Sequence, residues 1–287
     1  MLHVSSKPLI GGHVSAAGGL WHSLENGERI GAEAIQIFGS SPRGWATRIP
    51  DAVEAKKFRG ALSKSKIKKV FLHGAYLVNL ASPDPAAIEK SVKNLSEHLK
   101  IASLIGADGL IFHVGSGHEA PKEEAISKAS KAMKDVLKNV KGSTKLIIEN
   151  AAGGGVKLGA SAADIGAIMN AVGSPRVGVC IDTAHAFEAG LIEKYEPARI
   201  SALLKDFDKE VGLSNVLALH INDSKTEFNS KHDRHENIGE GYIGLAGFKN
   251  LAKEKRLYDK AWLLEVPGFD NAGPDNKNID ILRSCFK

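Results

Sequence analysis

Residues 231–244 read KHDRHENIGEGYIG. His232, Asp233 and His235 fall within four residues, just ahead of a glycine-rich turn. Two imidazoles around a carboxylate suit a metal ion; a solvated loop holding them by chance is the plain alternative. In an extended segment, residues two apart point the same way. Asp233 and His235 can then reach one ion together, while His232 faces elsewhere as a loop or surface residue. Gly239, Gly241 and Gly244 would let the loop turn back tightly over the groups beneath it.

The same residue types recur at the ends of short apolar runs: His73, His113, Glu149, Asp182 with His185 three residues on, His220 and Glu265. Singly, each reads as a hydrogen-bonded structural residue or a helix cap. Together, five imidazoles and four carboxylates on one rim would repel or shift to neutral forms unless cations intervene. Imidazole and carboxylate without thiolate suit Zn²⁺, with Mn²⁺ or Fe²⁺ able to substitute, whereas Mg²⁺ prefers oxygen alone. Catalytic zinc uses about three protein ligands and an open position. Nine groups therefore point to two or three ions.

The elements that must position these groups are legible in the pattern. Eight apolar runs lie at 9–15, 34–39, 69–75, 109–115, 145–151, 177–185, 216–223 and 262–268. Each is too short for a helix and reads as a buried strand. Amphipathic segments separate them. Ile88, Val92, Leu95, Leu99 and Ala102 form one helical stripe, and Ile126, Ala129, Met133, Val136 and Val140 form another. Ser161 and Asp164 suggest a capping box opening a helix over 162–171. Eight strand–helix units without a linker predict an α/β fold, a (β/α)₈ TIM barrel forming one domain over residues 1–287. An open doubly wound sheet is the alternative, but no glycine-rich dinucleotide fingerprint follows the first strand. In such barrels the chemistry lies at the C-terminal strand ends, where all the candidate groups fall.

Composition narrows the function classes. The 287 residues are 43% hydrophobic and 25% charged, ordinary for a globular chain. No run of 18 apolar residues predicts a membrane span. The start, MLHVSSKPLIGGHVS, lacks the features of a signal peptide. Two cysteines, Cys180 and Cys285, exclude a disulfide framework and predict reducing cytoplasm, with Cys180 an inert thiol inside VGVCID. The net charge of +5 fits a polyanion partner only weakly, since Lys128, Lys131, Lys134 and Lys138 read as a solvated helix face.

The ordered motifs GGHVSAAGG (11–19), HGAYLVNL (73–80), HVGSGH (113–118), IENAAGGG (148–155), DTAHAFEAG (182–190), HINDSK (220–225), HDRHENIGEGYIG (232–244) and LEVPG (264–268) span the chain. They resemble the endonuclease IV family of zinc-dependent apurinic/apyrimidinic endonucleases. The resemblance implies three zinc ions per chain. His73, His113 and Glu149 would hold one, and Glu149 would bridge to a second shared with Asp182, His220 and Glu265. His185, Asp233 and His235 would hold the third. It implies hydrolysis of the phosphodiester 5′ to an abasic site, leaving a 3′-hydroxyl, and removal of 3′-blocking groups. Close metal ions suit that reaction, because they activate water and neutralise phosphate charge. Glu149 is the candidate catalytic residue, orienting the nucleophile.

The expected partner is double-stranded DNA with abasic sites or blocked 3′ ends. A monomer in the cytoplasm, at the nucleoid in a prokaryote, is expected. Reaching a phosphodiester inside a duplex requires turning a nucleotide out and filling the gap. The resemblance places Arg43, Tyr76 and Leu77 at the positions that enter the DNA stack, with Trp45 as a packing anchor. Read without it, Tyr76 and Leu77 could equally be a packing pair on the rim. Gly44 departs from the glutamine often found after the arginine. Two other function classes fit less well: a metal-dependent sugar isomerase or epimerase of the related barrel class, and a lesion-binding protein without catalysis. The third ligand set argues against the first, and the complete set of ligands against the second.

Overall fold

A computed structural model describes residues 7–287. Strands and helices alternate: β1 (Leu9–His13), α1 (His22–Arg29), β2 (Ala34–Phe38), α2 (Ala52–Leu62), β3 (Lys69–His73), α3 (Pro85–Ile105), β4 (Gly109–Phe112) and α4 (Lys122–Asn139). The second half adds β5 (Lys145–Glu149), α5 (Ala162–Val172), β6 (Val177–Asp182), α6 (Thr183–Glu188), α7 (Pro197–Val211) and β7 (Val216–His220). A two-stranded antiparallel ribbon, β8 (Asp223–Ser224) and β9 (His235–Glu236), precedes α8 (Gly244–Leu251), β10 (Ala261–Leu264) and α9 (Asn276–Ser284). The eight long strands close in the order β1-β10-β7-β6-β5-β4-β3-β2, every pair parallel. This is the expected barrel. The expected domain also includes residues 1–6, which lie outside the described residues.

Two apolar layers hold it together. Inside the barrel, Ala34, Phe71, Ile111, Ile147, Cys180, Ala218, Ala261 and Leu263 pack as one cluster. A larger layer lies between the strands and the surrounding helices, including Phe58, Leu95, Leu99, Met133, Phe207 and Trp262. Truncating a filled-core aromatic such as Phe71 to alanine would cost about 3–5 kcal/mol. The interior is tight enough to dictate Gly11: a Cβ there would lie 1.6 Å from the Ala34 carbonyl oxygen.

Local signals set the helix ends. Asp84 caps α3 with Pro85 in the first turn, and Gly106 ends it in the left-handed conformation. The α3 and α4 stripes face the core, and Lys131, Lys134 and Lys138 are exposed. The box expected at α5 is only half formed. Ser161 Oγ accepts from Asp164 N at 3.2 Å, but the Asp164 carboxylate pairs with Lys122 at 2.5 Å. Residues 183–185, read as the end of a strand, instead begin α6, because the Asp182 carboxylate caps a helix there. No helix among the described residues is long and apolar enough to cross a membrane.

Candidate metal centre

Parallel strands in a closed barrel bring all their C-terminal ends to one rim. His73, Glu149, Asp182 and His220 are the last residues of β3, β5, β6 and β7. His113 and Glu265 each follow their strand by one residue, so the two strands end just short of the candidate groups. His185 sits in α6, His235 in β9, and Asp233 just before it.

The nine groups converge at the rim, Asp233 beside His113 and His185, and His235 beside Asp182 and His185. Glu149 Oε2 lies 3.0 Å from His73 Nε2 and 3.4 Å from His113 Nε2. Its other oxygen, Oε1, lies 2.8 Å from His220 Nδ1, which also faces Glu265 Oε2 at 3.2 Å and Asp182 Oδ2 at 3.9 Å. Glu149 thus stands between two sets, offering one oxygen to each. In the third set, His185 Nε2 lies 3.3 Å from Asp233 Oδ1 and 3.3 Å from His235 Nε2. His235 Nε2 is 3.7 Å from the same Asp233 oxygen. Asp182 approaches this set too, with Oδ2 at 3.6 Å from His235 Nε2. His232 is exposed and takes no part in the cluster.

Proton placement tests whether cations fit here. A carbonyl oxygen only accepts, so a ring nitrogen beside one must carry the proton. His73 Nδ1 faces the Gly74 carbonyl, His235 Nδ1 the Glu265 carbonyl, and His185 Nδ1 the Asn150 carbonyl at 2.9 Å, with Glu149 Oε1 further off at 3.3 Å. His220 Nε2 donates to Gln36 Oε1 at 2.8 Å. In each of these rings the other nitrogen points inward, at carboxylates or at another imidazole. Inward lone pairs on buried acceptors repel unless a further proton or a cation lies between them. Outer donation of this kind also fixes the tautomer that a metal ligand needs. The donor set fits divalent cations.

The crowding also shifts the proton affinities of the groups. Burial opposes ionisation of Glu149, but His113 and His220 hold its carboxyl well below the usual range. Burial likewise opposes charge on His185, yet Asp182 and Asp233 raise it well above the ordinary imidazole value. His113 is lowered, mainly by burial. Burial pushes the Cys180 thiol up to about 11, as expected of an inert core cysteine.

Several supporting residues escaped sequence reasoning. Gln36 bonds His220 through Oε1 and Glu265 through Nε2 at 2.5 Å, and its Nε2 lies 3.0 Å from His13 Nδ1. Its signal was one polar residue inside the apolar strand AIQIF. Asn222 donates to Asp182 Oδ2 at 2.7 Å and accepts from the Glu265 amide at 2.7 Å. The buried Asp223 carboxylate accepts from the amides of Gly239, Gly241, Ile243 and Gly244. The glycine-rich turn therefore wraps around a carboxylate beside the rim.

A cavity of about 840 Å³ opens over the cluster. His73, His113, His185 and His235 line it together with Phe38, Pro42 and Tyr76. Tyr76 and Leu77 are 64% and 41% exposed on the rim. The Tyr76 ring stands edge-on to Phe38 at 5.4 Å, and its amide bonds the Pro42 carbonyl. Arg43 is exposed on the loop after β2, Trp45 is half-buried, and a Cβ on Gly44 would meet nothing within 4 Å.

A family profile described as a xylose isomerase-like TIM barrel matches residues 24–285. A curated protein of Halothermothrix orenii named "Probable endonuclease 4" is 38% identical over 96% of this chain and 99% of its own length. The chain belongs to the endonuclease IV family. The crystal structure of endonuclease IV from Thermus thermophilus superposes with a TM-score of 0.83 at 32% identity, covering 97% of this chain and 98% of that one. A D-tagatose 3-epimerase-like protein shares the fold, with a TM-score of 0.72, at only 17% identity over 96% of each chain.

Proposed function

We propose that residues 1–287 form one DNA-repair endonuclease domain that hydrolyses the phosphodiester 5′ to abasic sites. Its products are a 3′-hydroxyl and a 5′-deoxyribose phosphate, and the same site clears 3′-blocking groups. The observation that carries this reading is the inward-facing cluster of nine acceptor groups on the floor of an open cavity, beside an exposed Tyr76–Leu77 pair. Membership of the endonuclease IV family supports it.

His73, His113 and Glu149 would hold one zinc ion, with Glu149, Asp182, His220 and Glu265 holding a second. His185, Asp233 and His235 would hold a third. Mn²⁺ or Fe²⁺ could replace zinc on these donors. Bound zinc supplies positive charge for a phosphate and lowers the pKa of bound water to about 7. The chain's own groups do the rest. Glu149 shares its two oxygens between two sets, so it fixes their spacing and orients the attacking water. Gln36 holds His220 and Glu265 in register. Arg43, Tyr76 and Leu77 enter the DNA stack and keep the lesion turned out. A DNA substrate puts the working enzyme in the cytoplasm, at the nucleoid in a prokaryote, and we read it as a monomer.

Metal analysis combined with cleavage assays tests this. Purified protein should carry about three zinc ions per chain and cut an abasic duplex while leaving a ketose panel untouched. Glu149→Gln should lose most cleavage, about a hundredfold or more, with the circular dichroism of the barrel retained. Full activity with about one ion would sink the three-ion reading, and ketose turnover without DNA cleavage would sink the endonuclease.

A further inference from the structure

The loop that carries Asp233 and His235 is tied to α6 at several points, and one side chain stands at the centre of them. Glu188, the last residue of α6, is fully buried. Its Oε1 accepts from Ser224 Oγ at 2.7 Å, Thr226 Oγ1 at 3.3 Å and the Arg234 amide at 3.2 Å. Arg234 lies between Asp233 and His235, so this last bond holds the peptide flanked by both. The backbone adds more ties. The Glu188 carbonyl accepts from Lys231 N at 3.1 Å, and the Phe187 carbonyl from Asn229 N at 3.2 Å. Lys231 Nζ donates to the Ala189 carbonyl at 2.6 Å.

Two features show that the loop is held in place by these contacts. Asn229 and Lys231 both adopt left-handed backbone, with φ of 61° and 63°, which residues other than glycine keep only when their surroundings impose it. The other Glu188 oxygen, Oε2, is buried without a hydrogen-bond partner among the described residues. A buried carboxylate is costly, and an apolar side chain would fill a helix end more cheaply. Donors from one loop, all aimed at one oxygen, give the carboxylate a reason to be there. His185 lies one turn earlier on the same helix, with Nε2 3.3 Å from Asp233 Oδ1.

We propose that Glu188 is a positioning residue for the third ligand set: it clamps residues 224–234 onto α6, so that Asp233 and His235 meet His185 at metal-binding distance. This rests on the reading that those three groups hold an ion. The helix serves as a ruler, with the ligand His185 and the clamp Glu188 three residues apart.

Two measurements on the full chain separate the clamp from the metal. Trypsin can cut after Lys225, Lys231 and Arg234, all in the clamped segment. In metal-free protein, Glu188→Ala removes the acceptor of three hydrogen bonds and should be nicked there about tenfold faster than wild type or more. Glu188→Gln keeps an accepting oxygen and should be nicked at close to the wild-type rate. In the zinc-loaded protein, dialysis against a weak chelator should strip one ion from Glu188→Ala while the other two stay. Glu188→Gln should retain all that wild type retains. If Glu188→Ala does not fold, the Ser224→Ala/Thr226→Val pair removes two of the donors and is read the same way. Equal nicking of variant and wild type would overturn the clamp. Faster nicking with unchanged zinc retention and unchanged cleavage would overturn the positioning role. If wild type bound no zinc at all, the metal reading would fall, and the positioning role with it, while the nicking comparison would still decide the clamp.

Discussion

At the scale of single residues, the protonation pattern separates ligands from bystanders. His235 turns Nδ1 to the Glu265 carbonyl and so presents Nε2 to His185 and Asp233. His232, three positions earlier, is exposed and belongs to none of the clustered ligand groups. Both lie in the segment between β7 and α8, so replacing either removes one imidazole from the same stretch of chain. His235→Ala should therefore lower abasic-site cleavage by about a hundredfold and cost bound zinc, whereas His232→Ala should stay within about twofold. Equal losses in steady-state cleavage would contradict the alternation of side chains in an extended segment.

At the scale of elements, the segment between β7 and α8 is built around two buried carboxylates. Glu188 faces the first half of the loop, and Asp223 gathers the amides of the glycine-rich turn. Gly241 is required there by space alone. A Cβ would stand 2.3 Å from the Ser224 carbonyl oxygen and 2.6 Å from Asp223 Oδ1. Gly241→Ala should thus force the turn outward and destabilise the protein by about 1–3 kcal/mol in urea unfolding. Gly44→Ala, with open space around it, is the control and should change stability by less than about 0.5 kcal/mol. If the two variants unfolded alike, the close approach would not be what selects glycine at 241.

At the scale of the whole molecule, the cavity and its exposed rim decide how a duplex is engaged. Tyr76 stands 64% exposed beside Phe38, at the edge of the cavity that ends on the cluster. Turning a nucleotide out of a duplex costs a few kcal/mol, and a side chain filling the gap offsets part of it. A frayed 3′ end requires little unstacking. Tyr76→Ala should therefore slow abasic-site cleavage in duplex DNA by about tenfold or more, while removal of a 3′-phosphate at a frayed end changes little and zinc content stays unchanged. Equal losses in the two assays would reassign Tyr76 to support of the neighbouring His73.

The barrel and the nine converging groups were readable from sequence because both are local in origin. Short apolar runs ending in His, Asp or Glu specify strands, and a parallel barrel places every strand end on one rim. Asp233 and His235 were readable because side-chain alternation is a property of the chain itself. The rest depended on contacts between distant segments. Glu188 looked like any residue of DTAHAFEAG until Ser224 and Arg234 were folded onto it. Gln36 acquired its role only where β2 came to face His220 and Glu265. The helical start of α6 lies a few residues earlier than the apolar run suggests, because the Asp182 carboxylate caps a helix there. Chain-local propensity and periodicity determine which groups reach the rim; which oxygen or nitrogen each one turns inward is decided by partners that only the tertiary fold brings within hydrogen-bonding distance.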